Sequence, residues 1–468
     1  MGIMKDLRLW GILAIGLALR GMLFSAAIRD ERRAFTPDSW DYWNLAGDLL
    51  FAGEYRSGEV NIQPEVFRTP GYPAFLTVGR NVPDRPGFLL GSWRASLAIQ
   101  MLIDLHLVLV TFALGRELVG HGTGLLAALL YAISPLAVGA SCRVLSDSLF
   151  AFLLTTAIWA VSVHFRTGQR RALLAAAGLM GLACYVRPIG LAMSAVFLAV
   201  LLFRPRRLRR AGAFAAVAAG LIAPWVVRNA VVAEYVGFSS FAGESLYWYS
   251  AAEVVAATDR SVPSAEAARQ RFLRQEGWAS FDPDLMGQSD APCYLDSGAL
   301  ARYRARRARA ILLAHPGSCL GIHLKGCLAF WLPGAADVLE TAGFTSGGKG
   351  TLAVLHEKGL LAAARHYFGG NTTAMWLAAG MTLVLLFRYA GVLLCVVWRF
   401  TLRLPAAAWL CLGLVAASFL LPGPAAHPRF RVPVEPILSI AAAMGWAAIL
   451  RRPKRREGHE DHQGLEAV

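Results

Sequence analysis

Two acids within one helical turn, Asp38 and Asp41, stand in the stretch FTPDSWDYWNLAGDLL, directly after an apolar run. Thr36-Pro37 reads as a helix start: a hydroxyl cap, then a proline whose missing N–H costs nothing at the first helical position. Asp38 falls in the first turn, where the helix dipole and free amides favour an ionised carboxylate. Asp38 and Tyr42 are four apart and share a face; Asp41 and Leu45 form a neighbouring stripe. A carboxylate held ionised beside a membrane span is a candidate general base. The plainer reading is two capping acids on a solvated helix. RTPGYP, residues 68–73, follows. Its prolines and glycine fix a turn, Tyr72 suits an interface, and Arg68 there has the geometry to grip a phosphate with two hydrogen bonds. Anchoring a lipid headgroup is the alternative.

Further charged residues sit where apolar runs begin or end. Asp147, in VLSDSLF, heads one run, as a cap or as a second carboxylate. Arg187-Pro188 breaks another, and an ionisable group at such a break is a functional candidate. Arg228 closes APWVVRN, and HPRFRVP sets His427, Arg429 and Arg431 just before the last run. Two carboxylate sites and several arginines converging on one leaflet point to a site that handles a phosphate-bearing lipid.

The elements that position these residues are long apolar runs. The chain has 468 residues, 56% of them apolar and only 16% charged, with a mean hydropathy of +0.47. Runs of about 18 or more apolar residues cross a bilayer as helices, because the backbone must satisfy its own hydrogen bonds there. The net charge of +15 suggests nucleic acid at first sight. The arginines, however, cluster where apolar runs stop, at Arg166, Arg170 and Arg171, at 204–210 and at 451–456. That is the arrangement that holds short loops in the cytoplasm.

Ten spans are expected, over residues 9–28, 95–115, 121–140, 147–165, 172–186, 189–203, 211–231, 374–398, 404–421 and 432–450. The first is read as uncleaved, with Lys5 and Arg8 keeping the N-terminus inside. An even number puts the basic tail 451–468 inside too. The fold expected is an all-α polytopic membrane bundle. Residues 1–231 form an N-terminal module with an outer first loop at 30–94, and 232–370 form an outer segment. Residues 371–450 hold the last spans. The run 311–333 is read as one amphipathic helix lying in the outer interface, and Arg388 as a sign that its span is broken or that its side chain snorkels. Seven cysteines show no metal spacing; Cys293, Cys319 and Cys327 leave room for one disulfide. Asn371-Thr-Thr is a glycosylation sequon only in a secretory pathway, and the composition rich in Ala, Arg, Gly and Leu suggests a bacterial source.

The ordered motifs resemble the GT-C class of polytopic glycosyltransferases, in particular the bacterial branch of lipid A aminoarabinose transferases and protein O-mannosyltransferases. The pieces are Pro37-Asp38-Ser39 with Tyr42 and AGDLL at 46–50, RTPGYP at 68–73, Leu145-Ser-Asp147 and Arg187-Pro188. Pro224-Trp225 with Arg228-Asn229, GESLY at 243–247, His315-Pro to Phe330-Trp331, and Arg429-Phe-Arg431-Val-Pro433 complete them. Each is short; together they span nearly the whole chain in order.

The resemblance implies transfer of a sugar from a polyprenyl-phosphate donor to a lipid, protein or glycan acceptor at the periplasmic face of a bacterial inner membrane. It implies Asp38 as the catalytic aspartate, Asp147 as a second carboxylate holding the site, and Arg68 on the lipid phosphate. Relatives often carry Asp-Glu where this chain has Asp38-Ser39, so Asp41 is expected to share the role. Tyr42, Tyr72, Arg187, Arg228, His427, Arg429 and Arg431 complete the expected substrate site. The expected chemistry is a single inverting displacement with no cofactor and without a metal, a divalent metal being the open alternative. The rival reading is a transporter or flippase of lipid-linked sugars, for which the internal repeats common in transporters are missing.

Overall fold

The computed structural model describes residues 6–57, 63–81, 93–203, 206–276, 297–345, 351–399 and 405–450. Cys293, Arg204 and the basic tail lie outside them. The protein is an all-α polytopic membrane fold; among the described residues a small sheet pairs Arg56–Ser57 antiparallel with Gln63–Pro64 in the first loop.

Among the described residues, six helices are long and apolar enough to cross a bilayer: Leu7–Ala27, Trp93–Leu118, Asp147–Thr167, Arg207–Ala233, the stretch Thr372–Val397 of a longer helix, and Pro428–Ile449. Shorter helices, Arg170–Val186, Gly190–Leu202 and Ala406–Leu420, fill three other expected runs. The bundle core forms where Trp93–Leu118 packs on His121–Ala132 and Asp147–Thr167, which packs in turn on Arg170–Val186. Thr372–Arg399 lies along the last helix, Glu435–Leu450. Their approach is closer than side chains allow: a Cβ on Gly445 would fall 1.9 Å from the Gly391 carbonyl oxygen. Small residues at helix contacts serve this purpose in membranes, where close van der Waals packing replaces the hydrophobic drive.

Two expected elements differ. The run 121–140 is not one straight helix: His121–Ala132 turns by 59° into Pro135–Ser141, because Pro135 has no N–H to continue the ladder and Ser134 caps the new helix instead. The run 311–333 is likewise not one amphipathic helix. Ser297–Ala314 ends before His315, and Pro316 opens a second helix, Pro316–Cys327. A short 3-10 turn to Trp331 and a 54° bend then lead into Ala335–Ala342, a pair long enough together to be a broken span or a re-entrant loop.

Arg388 neither breaks its helix nor snorkels. Thr372–Arg399 is continuous through it, and the side chain is buried in an ion pair with Glu435. Cys319 and Cys327 both carry free thiols. The later non-membrane segment has a small core of its own, in which Tyr247, Ala251, Val262, Ala268, Phe272 and Ala308 pack together.

Candidate active site

Thr36 and Pro37 open the helix Pro37–Gly47 as their residue types dictate. The Ser39 hydroxyl accepts the Thr36 N–H at 2.9 Å, so Ser39 is engaged in capping the helix. Asp38, in the first turn, faces two arginines from opposite ends of the chain. Its Oδ1 accepts from Arg68 Nη2 at 2.8 Å, and its Oδ2 accepts from Arg429 Nη2 at 2.5 Å. The same Arg68 nitrogen reaches Asp41 Oδ2 at 2.9 Å. The Arg68 guanidinium lies 4.9 Å from the centre of the Tyr42 ring and 4.8 Å from that of Phe67, a cation–π cradle that fixes its plane.

Arg68 is brought there by a close approach only glycine permits. A Cβ on Gly71 would sit 2.6 Å from the Tyr185 carbonyl. This seats the RTPGYP turn against the end of Arg170–Val186, two residues before Arg187. Arg187 leaves that helix end to pair with Asp147, and its guanidinium stacks 5.5 Å from the Phe430 ring, next to Arg429. Asp147 is buried and close enough to act electrostatically on both Arg429 and His427. Asp38, Asp41, Asp147, Arg68, Arg187 and Arg429, with Tyr42 and His427 beside them, therefore form one cluster.

Burial alone would raise the Asp38 carboxyl, but Arg429 and Arg68 outweigh it and hold it well below the usual carboxylate range. Burial pushes His427 below the ordinary imidazole range, so its ring is neutral at pH 7 and its Nδ1 accepts the Arg429 N–H at 3.2 Å. Asp41 and Asp38 are 55% and 29% exposed in their side chains, against 2% for Asp147. The mouth of the cluster is the Asp38 side and its floor is Asp147.

Three expected residues stand elsewhere. Arg228 donates to the Glu65 and Tyr55 carbonyls at 2.6 and 2.7 Å, beneath the first loop. Arg431 is buried, its Nε on Glu435 at 2.7 Å and its Nη1 on Phe330 O and Tyr389 OH. Tyr72 turns inward and donates to Gln100 at 2.7 Å; its ring supports Tyr42 edge-on.

Residues missed from sequence include Glu65, a buried acid under Arg68, and Arg143. Arg143 pairs with Asp337 at 3.1 Å and Glu340 at 2.9 Å and ties the turn before Asp147 to Ala335–Ala342. A lone acid in a Pro-rich loop and a lone arginine four residues before Asp147 were the only signals for them. Among the described residues, no three His, Cys, Asp or Glu side chains gather as metal ligands do.

Residues 89–227 match the family described as dolichyl-phosphate-mannose-protein mannosyltransferase. The crystal structure of the Archaeoglobus fulgidus oligosaccharyltransferase, tethered to an acceptor peptide containing the NVT sequon, superimposes with a TM-score of 0.51. Identity is 17%, over 95% of this chain and 50% of that one. The chain carries the GT-C glycosyltransferase fold. A second structure of the same oligosaccharyltransferase, in complex with Zn and sulfate, gives a TM-score of 0.50 at 16% identity over 95% of this chain and 49% of that one. ArnT from Cupriavidus metallidurans, bound to undecaprenyl phosphate, gives 0.41 at 17% identity over 94% and 78%. No curated protein matches the sequence. The chain spans about half the length of the oligosaccharyltransferase chains. Within the GT-C fold, the matched residues 89–227 include Asp147 and Arg187 but not Asp38, Arg68 or Arg429.

Proposed function

We propose that the protein transfers a monosaccharide from a polyprenyl-phosphate donor to a lipid, protein or glycan acceptor. Transfer takes place on the outer, periplasmic face of a bacterial inner membrane. The observation that carries this reading is the meeting of Arg68 and Arg429 on one partly exposed carboxylate, Asp38, with Arg187 and Asp147 behind it. Such an arrangement offers guanidinium groups to a phosphate and a carboxylate to the nucleophile. The GT-C fold and the matched mannosyltransferase family support the choice of a lipid-linked sugar as donor.

In the proposed reaction the donor phosphate takes over the hydrogen bonds of Arg68 and Arg429. Loss of these partners lets the Asp38 carboxyl rise from its depressed value and makes it a better base. The acceptor oxygen or nitrogen attacks the anomeric carbon, its proton passes to Asp38, and the bond from that carbon to the phosphate oxygen breaks. Polyprenyl phosphate leaves with its charge balanced by Arg68, Arg429 and Arg187, which stabilises the transition state without proton donation to the leaving oxygen. No covalent sugar–protein bond forms, so the anomeric configuration inverts.

The test is incubation of the purified protein with radiolabelled polyprenyl-phosphate sugars and membranes. Wild type passes label to an acceptor, and Asp38→Asn passes about 100- to 10,000-fold less, the loss typical of removing a general base. Equal transfer by both removes Asp38 from the chemistry, and lipid movement without sugar transfer replaces the reading with that of a flippase.

A further inference from the structure

Glu65 and Arg228 form a second layer behind Arg68. The Glu65 side chain is buried, and one of its oxygens accepts the N–H groups of Phe67 at 2.5 Å and Arg68 at 2.8 Å. Arg228 reaches up from the end of Arg207–Ala233. Its Nη1 holds the Glu65 carbonyl and its Nη2 the Tyr55 carbonyl, while its plane stacks 4.8 Å from the Trp225 ring. The Glu65 N–H donates to Tyr55 O at 3.0 Å. The start of the later segment closes the other edge: Ser240 N–H donates to Val66 O at 2.8 Å, and Ser239 Oγ to Phe67 O at 2.6 Å. Tyr55 OH donates to Arg68 O at 3.2 Å. Asn229, fully buried, holds Gly237 O and Phe238 O and so fixes the approach to Ser239. From Glu65 N to Arg68 O, every backbone polar group except the Val66 N–H has a partner.

Buried loop backbone needs such partners, and here the side chains of Arg228, Ser239, Tyr55 and Glu65 itself supply most of them. One carboxyl is buried and one guanidinium half-buried to achieve it, at a desolvation cost that a plain turn would not incur. What the segment presents is the Arg68 guanidinium. We infer that Glu65 and Arg228 are positioning residues that aim Arg68 at the donor phosphate and touch no substrate themselves. This rests on the assignment of Arg68 to that phosphate. It also gives Arg228 a different role from the direct phosphate contact its sequence position suggests.

A double-mutant cycle on binding of undecaprenyl phosphate by the full-length protein in detergent micelles separates the possibilities. Arg228→Met keeps the length and the stacking on Trp225 but loses both carbonyl bonds. We expect it to weaken binding about tenfold, as loss of a group that orients a ligating residue commonly does. In an Arg68→Ala background the same change adds nothing, because there is no guanidinium left to aim. Equal loss in both backgrounds makes Arg228 a direct ligand and overturns the inference alone, as does wild-type binding by Arg228→Met. Unchanged binding by Arg68→Ala overturns the phosphate assignment and the inference with it. Thermal melting of each variant guards against misfolding. Should Arg228→Met not fold, Glu65→Leu, which removes the acceptor oxygen, carries the same cycle, and Arg228→Lys, which keeps one donor nitrogen, retains part of the affinity.

Discussion

The protein uses the same trio twice, one carboxylate between two arginines, at two depths. Asp38 sits between Arg68 and Arg429; Glu435 sits between Arg388 and Arg431. The deeper trio is closed: its side chains are 0–3% exposed, against 11–29% for the other. Arg431 also bonds Phe330 O, Leu332 O and Tyr389 OH, and Arg388 also bonds Ser134 and Ser439. It thereby ties the last two long helices to both helix bends, at Ser134 and at Phe330–Leu332. The Arg429 guanidinium, by contrast, has Asp38 as its one hydrogen-bond partner among the described residues. Buried charge held by several partners fixes architecture; charge that is partly exposed and has fewer partners is free to exchange them with a ligand.

The sharpest way to break this contrast is to remove each central carboxylate. Asp38→Asn should cost the large loss of transfer stated above, with a drop in melting temperature well short of that for Glu435→Ala, because its pairs are partly exposed. It should also bind undecaprenyl phosphate more tightly, since Asp38 no longer competes for the two arginines. Glu435→Ala should do the reverse. Stripping a buried pair of its partner costs about 3–5 kcal/mol, so the variant should melt far lower or fail to accumulate. A folded Glu435→Ala with normal stability, read by thermal melting, would erase the distinction between the two trios.

A smaller effect concerns pH, and here two acids of the first loop have opposite signs. Asp38 titrates below its ordinary value because the two arginines outweigh burial. Its contribution is therefore present above the unfolded value, about 3.9, and is lost as pH falls towards the folded value. Glu65 titrates above its ordinary value, chiefly through burial. The folded state then holds its proton more tightly than the unfolded one, so its contribution is full below the unfolded value and declines as pH rises through the folded value. Arg429→Met should lower the melting temperature most near neutral pH, with the gap to wild type closing below about pH 4. The difference between Glu65→Gln and wild type should move in favour of glutamine as pH rises through the Glu65 window. A pH-independent gap for both would mean that neither carboxyl is perturbed.

Much of the bundle was legible because lipid imposes a length and a composition on each span, and nine of the ten expected runs coincide with helices or straightforward segments of them. Arg68, Arg187 and Arg429 were legible as a group because run ends of one parity fall on one side. What was not legible depends on contacts made across the chain. Nothing near Arg388 or Glu435 in sequence announces a bond spanning 47 positions, so Arg388 read as a defect in its helix. Arg228 and Arg431 had the right residue type at the right kind of place. Their donors are taken by main-chain carbonyls and, for Arg431, by the Glu435 carboxylate and Tyr389 OH as well, partners that sequence does not distinguish from phosphate oxygens. The Pro135 bend was hidden because the residues on both sides stay apolar, and hydropathy carries no information about direction.

The finest cut lies within the site, between Asp38 and Asp41. Both accept from the same Arg68 nitrogen, at 2.8 and 2.9 Å. Asp41, however, is more than half exposed and has no bond to Arg429 among the described residues. An exposed pair of this kind contributes about 0–1 kcal/mol, and solvent takes over when it is lost. Asp41→Asn should therefore leave melting unchanged and change transfer only a few-fold, with kcat close to wild type. Were Asp41→Asn to fall as far as Asp38→Asn in kcat, the two acids would share the proton, as Ser39 in place of an acid first suggested. The open trio would then be a quartet whose base is not fixed by the arginine pairing.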